Sequence, residues 1–355
     1  RQKTFSACFE DRRFDERPYI DEVLRATGAD GNPVFPDGQR LPAEIRRIVH
    51  HQDEPFASTS IYAQWNVFRR VAECGVKVML DGQGGDEMLA GYPVYYPYYH
   101  LDLLARGRLG QFWREWRQYR AYHPHALGQP LRALFGIGTA AWLAEPKRRT
   151  KKLLDQTRTH LFPWLLPDLV DAYFAPEDWE NRRFPDLLRE RMYRELSDGL
   201  PSLLHYEDRN SMAFSVEARV PFLDHRLAEF CFALPSEQMI RHGLTKYVLR
   251  RAVADVLPAK VAGRTDKMGF VTPEIIWFQQ TLADFTAETV ASAPAAARAF
   301  FNLAEVNRMI AAAKQPNASK TTVNTLWRVL NFCLWWEVFD LQGTSQTAAA
   351  TKTER

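Results

Sequence analysis

Three glycines and three carboxylates fall within Asp81–Glu87 (DGQGGDE), directly after the apolar run Val76–Leu80. If that run is a strand of an open parallel sheet, the loop lies at its carboxyl end, where such sheets bind ligands. Gly82, Gly84 and Gly85 let a ligand come close to the backbone. A helix starting after them would offer free N–H groups to an anion. Asp86 and Glu87 fall in its first turn, where carboxylates suit the helix dipole but repel phosphate. Acids beside phosphate make chemical sense with a divalent cation between them, and Mg2+ is the usual bridge. The same residues also suit a plain strand-to-helix turn whose acids cap the helix.

Two further stretches carry dense chemistry. Tyr206–Phe230 (YEDRNSMAFSVEARVPFLDHRLAEF) holds Glu207, Asp208, Arg209, Glu217, Arg219, Asp224, His225 and Arg226 beside the apolar VPFL. Paired charges that fix an architecture are the structural reading of that density. Gly243–Arg251 (GLTKYVLRR) sets Lys246, Arg250 and Arg251 at helical spacing, and Lys267 follows in RTDKMGF. A lysine near a nucleotide would neutralise charge developing during phosphoryl or nucleotidyl transfer; a solvated helix lysine is the commoner role.

Several elements would have to position these groups. Thr4–Phe9 is expected to be a strand, Asp15–Thr27 a helix ending at Gly28, and Pro33–Phe35 a short extended piece. Helices are expected at Leu41–His51 and Ser58–Cys74, with Gly75 leading into the strand Val76–Leu80. Alternating strands and helices imply an α/β layer with a parallel sheet. Beyond Tyr92 the pattern turns helical and rich in Trp and Arg to about Leu196, and Leu200–Phe339 is expected to be mostly helical. The aromatics of Tyr95–Tyr122 are expected to build a helical core; an interface, and with it a homodimer, is the alternative. His50 and His51 are adjacent and so point to different sides of a helix, which argues against a metal pair.

Composition bounds the class. Hydrophobic residues make up 46% and charged residues 25% of 355, as in a soluble globular protein. A net charge of +3 is too small to call for nucleic acid. The longest weakly polar run, Leu131–Ala144, is too short to span a bilayer. Cys8, Cys74, Cys231 and Cys333 are far apart, which suits free thiols in a reducing, cytoplasmic setting better than disulfides or zinc.

Taken together, LDGQGGDEMLAGY, SVEARVPFLDHRL, TKYVLRR and DKMGF resemble the synthetase domain of asparagine synthetase, a member of the ATP-pyrophosphatase group of adenine-nucleotide α-hydrolase-like α/β folds. The first is similar to the family's strand-end pattern SGxGxDExxxGY. DEPFASTS and LWRVLNFCLWWEVF resemble the family too, so that the likeness covers about residues 1–341, with a large helical insert near 97–190, a helical C-terminal half and a disordered tail at 342–355. The family's SGGxDS loop and its N-terminal glutaminase domain are not in this sequence. Both are expected upstream of Arg1, which would make the chain the C-terminal portion of a larger enzyme, incomplete for activity by itself.

The resemblance implies roles. Ala7 would offer backbone to adenine. Asp81, Gly82, Gln83, Gly84 and Gly85 would lie against ATP. Asp86 would help hold Mg2+ with Glu87 in support, and Lys246 would stabilise the charge of adenylation. Arg209, Glu217 and Arg219 would shape the substrate side. The implied reaction adenylates the side-chain carboxylate of aspartate and aminates it with ammonia from glutamine, giving asparagine, AMP and pyrophosphate. Gln83 stands where asparagine-forming members commonly have Glu. Other acceptors therefore stay open, a surface-polysaccharide sugar acid or an amide-ring closure as in β-lactam synthetase, as does a non-catalytic nucleotide-binding relative.

Overall fold

A computed structural model describes residues 1–123, 162–167, 169 and 183–342. The helix expected at Ser58–Cys74 runs as α3, Ser60–Glu73, and its residues Tyr62, Trp65, Phe68 and Val71 are all buried. A helix apolar on nearly every side belongs inside. The first parallel pair joins β1 (Lys3–Ala7) to β2 (Asp30–Val34), in register from Lys3↔Asp30 to Ala7↔Val34. Pro33 has no N–H to give a further neighbour, as befits the edge position of β2. Helices α1 (Arg17–Thr27) and α2 (Leu41–Gln52) flank it, close to where the sequence places them.

The second parallel pair adds one short strand to a second half that is, as expected, mostly helical among the described residues. β3 (Val78–Leu80) pairs with β4 (Glu217–Arg219), with Val78↔Glu217, Met79↔Ala218 and Leu80↔Arg219 opposite one another. Three residues with charges at both ends show no apolar alternation, so β4 left no trace in the pattern. The two pairs are separate two-stranded sheets among the described residues. Phe5, Ala7, Val34, Met79 and Ala218 pack against the same buried side chains, Val67, Phe68, Val71 and Val216.

Beyond β3 come α4 (Gly85–Met88), α5 (Tyr95–Ala105), α6 (Leu109–Tyr122), α7 (Leu187–Arg194) and α8 (Leu200–Met212). Tyr95, Tyr96, Tyr99, Phe112 and Tyr119 form a buried cluster with Met88, Leu188, Met192 and Met239. The aromatics there are largely core, as expected, though Trp113 is 61% exposed. The remainder of the expected insert, including Leu131–Ala144, and the expected tail after residue 342 lie outside the described residues.

The chain closes with α9 (His225–Ala233), α10 (Tyr247–Ala252), α11 (Ala283–Ser292), α12 (Leu303–Ala313) and α13 (Lys320–Val338). α13 is anchored at both levels of structure. Trp327 is fully buried and donates from Nε1 to the Phe56 carbonyl at 3.1 Å, while Asn331 Oδ1 accepts the Phe56 N–H at 2.8 Å. Ser319 Oγ caps it by accepting the Thr322 N–H at 3.0 Å. Ser319→Ala is expected to cost about 1 kcal/mol, read by urea denaturation, with catalysis unchanged. No described helix is long and apolar enough to cross a membrane. All four cysteines are free thiols; burial pushes the Cys333 thiol up to about 12.

Candidate active site

The strand-end loop is built by its neighbours on β4. Asp81 N–H extends the ladder by donating to the Arg219 carbonyl at 3.0 Å. Asp81 Oδ1 then turns the chain by accepting the Gln83 N–H at 3.1 Å. Gly84 sits at φ 84°, in the left-handed region, and a Cβ there would collide with the Leu223 side chain. A Cβ on Gly85 would stand 3.5 Å from the Phe222 ring. The Pro221–Leu223 turn thus forms the floor of the loop, which gives the VPFL motif a physical role: it holds the glycines in place from below. The helix expected after the loop is a single turn, α4. One turn sums few peptide dipoles, so it cannot supply the anion site read from the sequence.

Asp86 is the hub. Its carboxylate lies 3.0 Å from Lys246 Nζ and 3.1 Å from Lys267 Nζ. Lys246 adopts φ 53°, unusual for a residue with a side chain. Its N–H bonds the Leu89 carbonyl at 3.2 Å, which ties the lysine to the chain just past α4. A Cβ on Gly91 would overlap both Asp86 Oδ1 and Lys246 Cε. Next to this hub, Glu87 is buried and accepts a 2.6 Å hydrogen bond from Tyr92 Oη. Burial and the Glu87 carboxylate hold the Tyr92 phenol well above its usual range, so it stays a donor.

A cavity of about 250 Å3 opens beside the hub, lined by Gly91, Lys246, Arg250, Arg264, Asp266 and Lys267 among others. Four of those side chains are basic and one is acidic, which suits a polyanion. Arg250 is held by the Thr245 and Ala262 carbonyls at 2.8 and 2.9 Å. Lys267 thus belongs to the hub. Its sequence signal was the RTDKMGF stretch, which carried no assigned role.

Other residues read from the sequence have different company. Glu217 and Arg219 pair with each other at 2.8 Å, both 58% exposed. They share a sheet face with Val78 and Leu80, which are also exposed. Arg209, on α8, pairs with Asp53 at 3.0 Å. Ala7 ends β1 and packs into the core with its side chain. Among the described residues no three His, Cys, Asp or Glu side chains gather as a metal site. Asp86 is a single carboxylate faced by two ammonium groups, a donor set that does not by itself fit a divalent cation.

A sequence profile of asparagine synthase matches residues 1–337. The chain belongs to the asparagine synthase family. It is 26% identical over 348 residues to asparagine synthetase (glutamine-hydrolyzing) 1 of Bacillus subtilis strain 168, covering 95% of this chain and 52% of that protein. A putative asparagine synthetase (glutamine-hydrolyzing) of Mycobacterium bovis is 27% identical over 344 residues, with 95% and 50% covered. Amidase chyE of Penicillium rubens is 25% identical over 308 residues, with 78% and 44% covered. The chain spans about half the length of the curated relatives it matches.

Proposed function

We propose that the native protein is an ATP-dependent ligase that converts a carboxylate to an amide through an acyl-adenylate. Aspartate is the first candidate acceptor, with ammonia drawn from glutamine by a glutaminase domain of the native protein. The observation that carries this reading is the Asp86–Lys246–Lys267 hub, whose two lysines border a cavity that Arg250 and Arg264 also line, beside apolar side chains such as Leu249 and Val253. A carboxylate oxygen attacks the α-phosphorus of ATP, and pyrophosphate departs with the bonding pair. Ammonia then adds to the acyl carbon, and AMP departs. Both steps build negative charge on phosphate oxygens, which fixed ammonium groups stabilise without reorganising.

In this reading Lys246 and Lys267 act on the phosphates, and Asp86 holds both until the nucleotide arrives. The backbone of Asp81–Gly85 borders the nucleotide, with Ala7 on its adenine side. Glu87, fixed by Tyr92, keeps the turn carrying Asp86 in place. Glu217, Arg219 and Arg209 are exposed enough to meet the acceptor or a neighbouring domain. Magnesium accompanies ATP as substrate; no side-chain step is assigned to it.

The test is to incubate the native protein with ATP, magnesium, glutamine and aspartate, and to assay asparagine and AMP together. Both products in equal amounts support the reading. AMP formed only with another acid would keep the ligase and replace aspartate. Gln83 favours that second reading, because it removes a negative charge where asparagine-forming relatives commonly carry one. Absence of AMP with every acid tried, from folded protein, would sink both.

A further inference from the structure

The segment that delivers Lys246 begins with a two-residue hairpin. Arg241 and Leu244 exchange both backbone hydrogen bonds, at 3.0 and 2.9 Å, and His242 and Gly243 between them stand at φ 56° and 68°. Two left-handed residues at the tip are what such a tight turn requires. His242 faces solvent, whereas Gly243 is buried against α5 and α6. Tyr96 Oη, from α5, donates to the Gly243 carbonyl at 2.7 Å, and Glu115 Oε2, from α6, accepts the Gly243 N–H at 3.1 Å. A Cβ on Gly243 would stand 2.7 Å from the backbone of Gln118 and Tyr119. Both backbone groups of this one residue are thus taken by side chains of two helices, and its missing side chain lets the hairpin rest directly on α6.

We propose that Tyr96 and Glu115 are positioning residues that set Lys246 through Gly243, so that α5 and α6 serve the hub as well as the core. Lys246 follows Gly243 by three residues, and its own N–H bonds the Leu89 carbonyl at 3.2 Å. The short stretch between them is therefore pinned at both ends. A lysine carries its ammonium on a flexible four-carbon stem, so the place of the charge depends on the backbone beneath it. With that backbone fixed at two points, Lys246 keeps φ 53° and its Nζ stays 3.0 Å from Asp86.

Core packing alone does not account for these two side chains. Tyr96 and Glu115 are each 3% exposed. The Tyr96 ring packs 4.3 Å from that of Tyr119, a contact phenylalanine would make equally well. A buried polar group costs stability unless it is hydrogen-bonded, and the partner that both have found is Gly243. Burial raises the Tyr96 phenol above its usual range, so Oη stays a donor. Glu115 is the one acid within Leu109–Tyr122, and it is turned inward while Arg114, Arg117 and Arg120 of the same helix are exposed. A solvated helix face would place them the other way only at random; here the acid sits where a buried N–H needs an acceptor.

The experiment compares Tyr96→Phe, Glu115→Leu, Glu115→Gln and Gly243→Ala in the native protein. Deuterium exchange read by mass spectrometry needs no reaction. Tyr96→Phe should speed it about tenfold at the amides of residues 243–246, as the loss of one hydrogen bond does, while α11 and α13 keep wild-type rates. The part played in the reaction rests on the adenylation reading and is measured by ATP–pyrophosphate exchange. Tyr96→Phe should lower kcat about tenfold with KM for ATP unchanged, and Gly243→Ala about 100-fold, the loss that a misplacement near 1 Å brings. Glu115→Gln, whose amide oxygen can accept the same N–H, should recover most of the activity that Glu115→Leu loses. In a Lys246→Ala background Tyr96→Phe should add less than about twofold, because its effect passes through that lysine. Wild-type deuterium exchange at 243–246 in Tyr96→Phe would overturn the grip on Gly243. An undiminished tenfold loss on top of Lys246→Ala would overturn the route through Lys246 and leave the two helices to the fold alone. Faster deuterium exchange confined to 243–246, with no pyrophosphate exchange in any protein including wild type, would sustain the grip and end the adenylation reading.

Discussion

Replacing Lys246 with Ala should slow ATP–pyrophosphate exchange by about 10²–10³-fold, the usual loss when one fixed donor to developing charge is removed. The chain invests in this side chain. Its backbone is in the left-handed region at φ 53°, and its N–H is tied to Leu89. Such a conformation persists where the surroundings enforce it, and it aims Nζ at Asp86. Folding should survive the change, since Lys267 still partners Asp86 and a part-exposed ion pair adds little stability. The loss should therefore appear in kcat at saturating ATP, with the thermal midpoint within a few degrees of wild type. An unchanged exchange rate would mean that Lys246 only neutralises Asp86.

Gly91→Ala should be nearly as damaging, at about 100-fold, although it adds only an uncharged methyl group. That methyl would occupy the space of Asp86 Oδ1 and Lys246 Cε. The Gly91 N–H bonds the Asp86 carbonyl at 2.8 Å, so the backbone cannot simply retreat. Asp86 and Lys246 must instead part, and a displacement near 1 Å at a reacting group costs about two orders of magnitude. Exchange kinetics read the effect, and a crystal structure of the variant would show which partner moved. Wild-type exchange in Gly91→Ala would mean that the Asp86–Lys246 contact is not the reacting arrangement.

These two expectations show what the sequence offered and what it withheld. Asp86 and Lys246 were legible because each lies in a short stretch of diagnostic residue types, and Gly28 and Gly75 marked two helix ends correctly. Lys267 was visible in its motif, yet its shared carboxylate depends on a chain separation of 181 positions that no local pattern encodes. β4 escaped because Glu217-Ala218-Arg219 has no apolar alternation; its strand character comes wholly from the partner β3. Glu207 was counted among the charges of its segment without a role. Its burial with Asn210 and Ser211 on one face of α8 depends on how that helix packs, which no local pattern encodes. The expected cation at Asp86 drew on acids near phosphate, whereas the folded chain answers that carboxylate with two lysines.

The most direct measurement follows an oxygen atom. The native protein would be given ATP, magnesium, an ammonia source and an acceptor acid labelled with oxygen-18 in its carboxylate, and the products weighed by mass spectrometry. Attack of that carboxylate on the α-phosphorus places one labelled oxygen in AMP and leaves the other in the amide, and that distribution is the expected result. Label in inorganic phosphate, with ADP as the other product, would mean an acyl phosphate formed at the γ-phosphorus. It would contradict adenylation at the Asp86–Lys246–Lys267 hub.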